Sequence, residues 1–264
     1  MRTVPKYGSR FVMQTRLYNM RKFIWIILFY AVADPFLYLV AIGVGVGTMI
    51  DSHQGSVGVD GVKYLVFLAP ALLSNAAISG SMDEVMFPTL AGFMWEKTFF
   101  SINSTPLKGR QIALGVFQGA MVRTAFTILV YYSVMWGFGV LDSPHAWLII
   151  PSSFMAGAAF AAVMLAVAGR TKKEDNFFTF IGRFILQPMF FLSGTFFPLD
   201  SMPIYLRWVG WISPLWHATD LGRYLSYGRD IPGWLVVTHI VVLLAMLVGG
   251  LFFAVRVFEK RLLK

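Results

Sequence analysis

Residues 233–255 read GWLVVTHIVVLLAMLVGGLFFAV, and His239 is the one ionisable group among them. A helix crossing the hydrocarbon core of a membrane needs about 20 mostly apolar residues. A water-facing helix keeps one polar side, and this stretch has none. It is read as a membrane span. Working back along the chain, comparable runs lie at about 23–50, 63–82, 111–141, 144–168 and 176–197. The short alternating segments of a membrane barrel are not seen. The expected fold is an all-α membrane protein of six transmembrane helices, one domain over residues 1–264.

Composition points the same way. The chain is 57% hydrophobic and 13% charged, against about 25% charged in soluble domains. That excludes a water-soluble globule and, with so much apolar content, a disordered chain. The net charge of +9 would suggest nucleic acid in a soluble protein. In a membrane protein it records orientation, because Lys and Arg collect in cytoplasmic loops. Segments 1–22, 83–110, 169–175 and 256–264 hold sixteen basic residues; 51–62, 142–143 and 198–232 hold three. Both termini are therefore expected in the cytoplasm of a multi-pass plasma-membrane protein, with no nucleic-acid partner. Six basic residues, from Arg2 to Lys22, precede an apolar run much longer than the about 7–15 residues of a cleavable signal, so the first span is expected to be retained. There is no cysteine, hence no disulfide or thiol chemistry.

Three non-spanning segments stand out. Residues 1–22 mix Phe11, Val12, Leu17 and Tyr18 with spaced basic residues, as in a helix lying on anionic lipid. Residues 198–232 are proline-broken and crowded with Trp and Tyr, including Trp208 and Trp211; they are read as short re-entrant helices before the sixth span. The loop between the second and third spans is too long for a turn, and Gly92–Ser104 has helical spacing. Phe93, Lys97 and Phe100 fall on neighbouring turns, as do Trp95 and Phe99, which predicts an amphipathic docking helix.

Catalytic chemistry is sparse. The four histidines, His53, His145, His217 and His239, are widely separated and form no HExxH-type ligand pair. There is no G-x-S-x-G elbow. Gly92 to Thr98 resembles a phosphate loop but lacks the second glycine before Lys97. Within the spans the charges are Asp34, Arg123 and Arg183, which must face protein or water; helix packing or ion pairing is the favoured reading over substrate contact. Two other classes compete. A lipid-modifying transferase would need paired carboxylates or His on one membrane face, and Asp83–Glu84 is the only adjacent carboxylate pair near a face; a proton-coupled carrier would rest on Asp34. Gly43 and Gly47, and Gly115 and Gly119, are spaced G-x-x-x-G for close helix approach or a dimer seam.

Read in order, the amphipathic N-terminus, the spans, the loop carrying Trp95-Glu96-Lys97-Thr98 and Thr105-Pro-Leu-Lys-Gly109, then FLSGTFFPLDSMP (191–203) and SPLWHATDLGR (213–223) resemble the membrane-spanning permease of type-2 ABC exporters, of the nodulation-factor and daunorubicin-type group. The loop departs from that group's R-E-x-G-T-[LM]-E by lacking the glycine and second carboxylate. The resemblance implies two permease copies, as a homodimer or with a sister chain, above two ATPase subunits that bind ATP and magnesium, with no cofactor in this chain. It makes Phe93, Trp95, Glu96, Lys97 and Phe100 the ATPase-coupling residues, with 169–176 a second contact. Substrate would pass between spans two and five of the two copies. Phe190, Phe191, Phe196, Phe197, Trp208 and Trp211 are the candidate substrate path or outer gate, though the first three equally suit core packing.

Overall fold

The computed structural model describes residues 7–49, 59–141, 143–172 and 176–263. Arg2, Lys6, His53, Lys173, Lys264 and most of the 51–62 loop lie outside the described residues. Among the described residues everything regular is helical, apart from one bridge between Val59 and Val62 around the Asp60–Gly61 turn. The helices are α1 (Gly8–Arg21), α2 (Ile24–Tyr38, continuing as π-helix Leu39–Gly47), α3 (Tyr64–Leu90, continuing as π-helix Ala91–Trp95) and α4 (Thr98–Asn103). They are followed by α5 (Gly109–Gly137), α6 (Ile149–Arg170), α7 (residues 177–192), α8 (Ile204–Ile212), α9 (Pro214–Tyr227) and α10 (Gly233–Leu262).

Five of these, α2, α3, α5, α6 and α10, are long and apolar enough to cross a membrane. The expected span at 176–197 is shorter: its helix ends at Leu192, with a π-helical stretch over Ile181–Leu186. Sixteen residues at about 1.5 Å each rise about 24 Å, below the about 30 Å hydrocarbon thickness. Gly194, with φ +73°, then turns the chain away in a conformation open to few residues but glycine.

Helix α6 is the centre of the bundle, packed against α3, α5, α9 and α10. Its small residues explain this, since backbones in lipid approach closely only where side chains are small. A Cβ on Gly157 would lie 2.9 Å from the Ala77 carbonyl oxygen of α3, and one on Gly250 of α10 would lie 2.7 Å from the Ala162 backbone. Buried hydroxyls add direction, with Ser74 bonded to Ser153 at 2.9 Å and Ser81 donating to the Gly157 carbonyl at 3.0 Å. Helices α2 and α10 bury little of themselves, so their outer faces suit lipid or another chain.

The G-x-x-x-G pair of α5 has a use within the chain. A Cβ on Gly115 would meet Val12 Cβ at 2.5 Å, and one on Gly119 would meet Arg16 Cβ at 3.1 Å. The pair is the groove in which α1 lies, so α1 is fastened to the bundle.

Candidate functional site

Two polar clusters lie at opposite ends of the bundle. At the first, α3 gives way to α4. The expected single helix over Gly92–Ser104 is instead a knuckle: α3 ends at Trp95, Lys97 takes the left-handed conformation at φ 53°, and α4 restarts at Thr98. The break lets the chain fold back on itself. Phe93 and Phe99 are buried, with ring centroids 4.9 Å apart, and both pack on Phe258 of α10 at 4.9 and 5.5 Å. Gly92 is required there, because a Cβ would come within 2.6 Å of the Phe99 ring. Folding back leaves Trp95, Glu96, Lys97, Thr98 and Phe100 exposed on one protrusion, with Trp95 against Phe87 at 5.2 Å. Of the five residues named from sequence, Phe93 therefore points inward and four outward.

The knuckle is tied down by the end of α10. The Arg261 guanidinium lies 4.2 Å above the Phe93 ring and donates to the Gly169 and Thr171 carbonyls, each at 2.7 Å. Asn103 of α4 donates to the Leu262 carbonyl at 3.1 Å. One arginine thus joins the knuckle to the segment after α6, a role that no motif in the sequence signals. Beside it, Arg123 pairs with Glu84 between α5 and α3, so its charge is matched within the chain. Arg16 of α1 donates to the Glu84 carbonyl at 3.5 Å. Burial lowers the Arg16 pKa from its ordinary value, and the Glu84 and Glu96 carboxylates push the other way.

At the second end, α9 is defined by its caps. The Ser213 side chain accepts from the Leu215 amide at 3.1 Å, Pro214 takes the first turn, and Gly228 closes the helix at φ 78°. Gly222 sets it deep, with a Cβ position 2.9 Å from Pro70 and 3.2 Å from the Ser152 hydroxyl. Arg223, fully buried, donates to the Phe67 and Thr195 carbonyls, each at 3.2 Å, and stacks on Phe67 at 3.6 Å. Burial lowers its pKa to about 10, so it stays charged at neutral pH.

His217 and Asp220, one helical turn apart, reach His239 on α10. His239 Nε2 lies 3.1 Å from Asp220 Oδ2; the two imidazoles face each other through Nδ1 at 2.8 Å; His217 Nε2 lies 2.9 Å from the Trp211 carbonyl oxygen. Arg229 pairs with the other Asp220 oxygen, and its Nε lies 3.2 Å from Asp60. Burial works to raise the Asp220 pKa, but the His239 hydrogen bond and Arg229 outweigh it and hold it below the usual carboxylate range. The H-x-x-D spacing is visible in the sequence; the partner on α10 is not.

The aromatic candidates divide. Phe190 is buried, 6.0 Å from Tyr38 of α2; Phe191 and Phe196 stack at 5.7 Å, with Phe191 exposed. Phe197, Trp208 and Trp211 are exposed. Asp34 and Arg183 are also exposed, on α2 and α7, with no ion pair among the described residues.

Residues 11–227 match the family described as ABC-2 type transporter. The chain belongs to that family. It is 28% identical over 238 residues to nodulation protein J of Rhizobium leguminosarum bv. viciae, covering 88% of this chain and 86% of that one. To nodulation protein J of Sinorhizobium fredii it is 29% identical over 231 residues, covering 88% and 85%. To the inner membrane transport permease YadH of Escherichia coli it is 22% identical over 204 residues, covering 77% of each. This ABC-2 family chain is thus a membrane transport permease by descent, and its apolar helices suit a multi-pass protein.

Proposed function

We propose that this chain is the permease subunit of an ATP-driven exporter, a single transmembrane domain energised by a separate ATPase subunit that binds ATP and magnesium. The observation that carries the reading is the knuckle: Trp95, Glu96, Lys97, Thr98 and Phe100 protrude together from a base locked by Phe93, Phe99, Phe258 and Arg261. A protruding, rigidly based patch of aromatic and charged groups suits seating in a partner's cleft and passing a push into the bundle. The segment after α6, held to the knuckle by Arg261, is the second contact. The basic residues concentrated at that end favour a cytoplasmic location for it and for both termini, with α1 along the inner face of the plasma membrane.

A second copy of the chain fits the flank of α2 and α7. Helix α3 is largely covered within the chain, so it offers a partner little surface, whereas α2 is open. Asp34 and Arg183 expose opposite charges on that flank, which suits a two-fold seam where each copy supplies both. Phe191 and Phe196, which pack on Phe190 beside Tyr38, and the exposed Phe197 then border the path of an amphipathic substrate such as a glycolipid, lipid-linked saccharide or hydrophobic drug, with Trp208 and Trp211 at its far end. The name of the YadH relative, inner membrane transport permease, supports a transport role.

The test is reconstitution with an ABC ATPase subunit that co-purifies with this chain. Trp95→Ala and Glu96→Ala should leave melting temperature unchanged but remove coupling, so that substrate no longer stimulates ATP hydrolysis. Normal coupling in both variants, or failure of any ATPase to co-purify, overturns the reading.

A further inference from the structure

The hydrogen-bond chain at the second end fixes a proton count. Its two terminal partners, the Trp211 carbonyl and the Asp220 carboxylate, only accept, and Arg229 holds Asp220 ionised from its other oxygen. His217 Nε2 and His239 Nε2 must therefore both carry hydrogen. The Nδ1–Nδ1 contact at 2.8 Å needs a third hydrogen between the rings. Two neutral imidazoles supply two hydrogens in all. The geometry is complete only when the pair holds one extra proton. With two neutral rings, one of the three contacts, ring to ring or ring to the Trp211 carbonyl, would set two lone pairs against each other in a site where His239 is fully buried and His217 nearly so.

We propose that His217 and His239 form a one-proton binding site, with the proton held on His239 toward Asp220, and that this proton latches α9 to α10. His217 then stays neutral, accepting from His239 Nδ1 and donating from Nε2 to Trp211. The other charged and titratable groups around the pair are Arg223 and Tyr227 on α9, Arg229 after it, Asp60 in the turn before α3 and Asp200 before α8. The Trp216 ring closes the site, 4.9 Å from each imidazole. The three carboxylates, Asp60, Asp200 and Asp220, match the two arginines and the imidazolium together, and Asp220 meets the imidazolium directly. Removing the proton turns the ion pair between His239 and Asp220 into a neutral hydrogen bond and leaves one of the three contacts acceptor against acceptor, which weakens the joint between α9 and α10.

The absence of cysteine allows a clean two-part experiment on the full chain in lipid nanodiscs. Imidazole ¹⁵N resonances, assigned with His217→Gln and His239→Gln, should show one imidazolium and one neutral ring in the pair at pH 7. The variant Ala218→Cys, with its thiol buried on α9 next to His217, should then react slowly with a polar thiol reagent. As pH rises and the imidazolium signal disappears, its rate should climb about tenfold relative to an exposed Tyr205→Cys reference, the factor for one lost buried hydrogen bond. Two neutral rings at pH 7 overturn the site. A labelling rate for Ala218→Cys that tracks the reference through the titration overturns the latch.

Discussion

His217 is a base that folding has deprived of water. Burial pushes its pKa down to about 4, against about 6.5 for a free imidazole. The unfolded chain therefore takes up this proton first as the pH falls. The His217 contribution to stability is fully present above about 6.5 and is lost, by up to about 3 kcal/mol, as pH drops to about 4. Thermal unfolding in detergent, followed by tryptophan fluorescence at stepwise pH, should show that decline, and His217→Gln should flatten it. Equal slopes for the two chains count against it. At the other end, Phe93→Ala should cost about 3–5 kcal/mol because it opens a cavity between Phe99 and Phe258, measured as a loss of melting temperature; Phe100→Ala, at the exposed edge, should cost far less. The exposed members of the docking set are legible in the sequence because polar and large aromatic residues alternate there. That Phe93 turns inward is not, since its partner Phe258 comes from the far end of the chain.

At the scale of elements, the sequence announces the long helices, because length and hydropathy alone decide them. It does not reveal where helices stop short. The apolar run at 176–197 continues through Gly194, where the chain turns at a positive φ that apolar content does not register. Likewise, the spacing of Gly115 and Gly119 promises close packing without naming the neighbour. The neighbour is α1, which yields a sharp test. In Gly115→Val, new methyl groups would meet the Ser9 carbonyl, already 2.6 Å from the Cβ position, and Val12. Helix α1 has to lift. Hydrogen exchange over residues 8–21 should accelerate at least about tenfold while α6 stays protected, as expected for local opening of one element. Unchanged exchange in α1 would remove the groove assignment.

For the whole molecule, Asp34 and Arg183, with no ion pair among the described residues, point beyond the single chain. Asp34→Arg should abolish dimerisation and transport, and so should Arg183→Asp. The doubly exchanged chain should regain both if the two residues meet across a seam, because swapping signs preserves a cross-subunit pair. Chemical crosslinking in lipid and a transport assay read the outcome; a double variant no better than either single one rules the seam out.

Helix α10 links both clusters in one proline-free rod, with His239 and Arg261 eleven residues to either side of Gly250. Gly250 is where α10 comes within touching distance of the α6 backbone. Each arm is about 16 Å long at 1.5 Å per residue. With the Arg261 bond to Gly169 released, rocking about the Gly250 contact would make the rod a balanced lever with its pivot on the central helix. A thrust that shifted Arg261 by about 2 Å one way would then carry His239 about 2 Å the opposite way, enough to break a hydrogen bond. Force arriving at one rim of the bundle would be felt, reversed in sign, at the other.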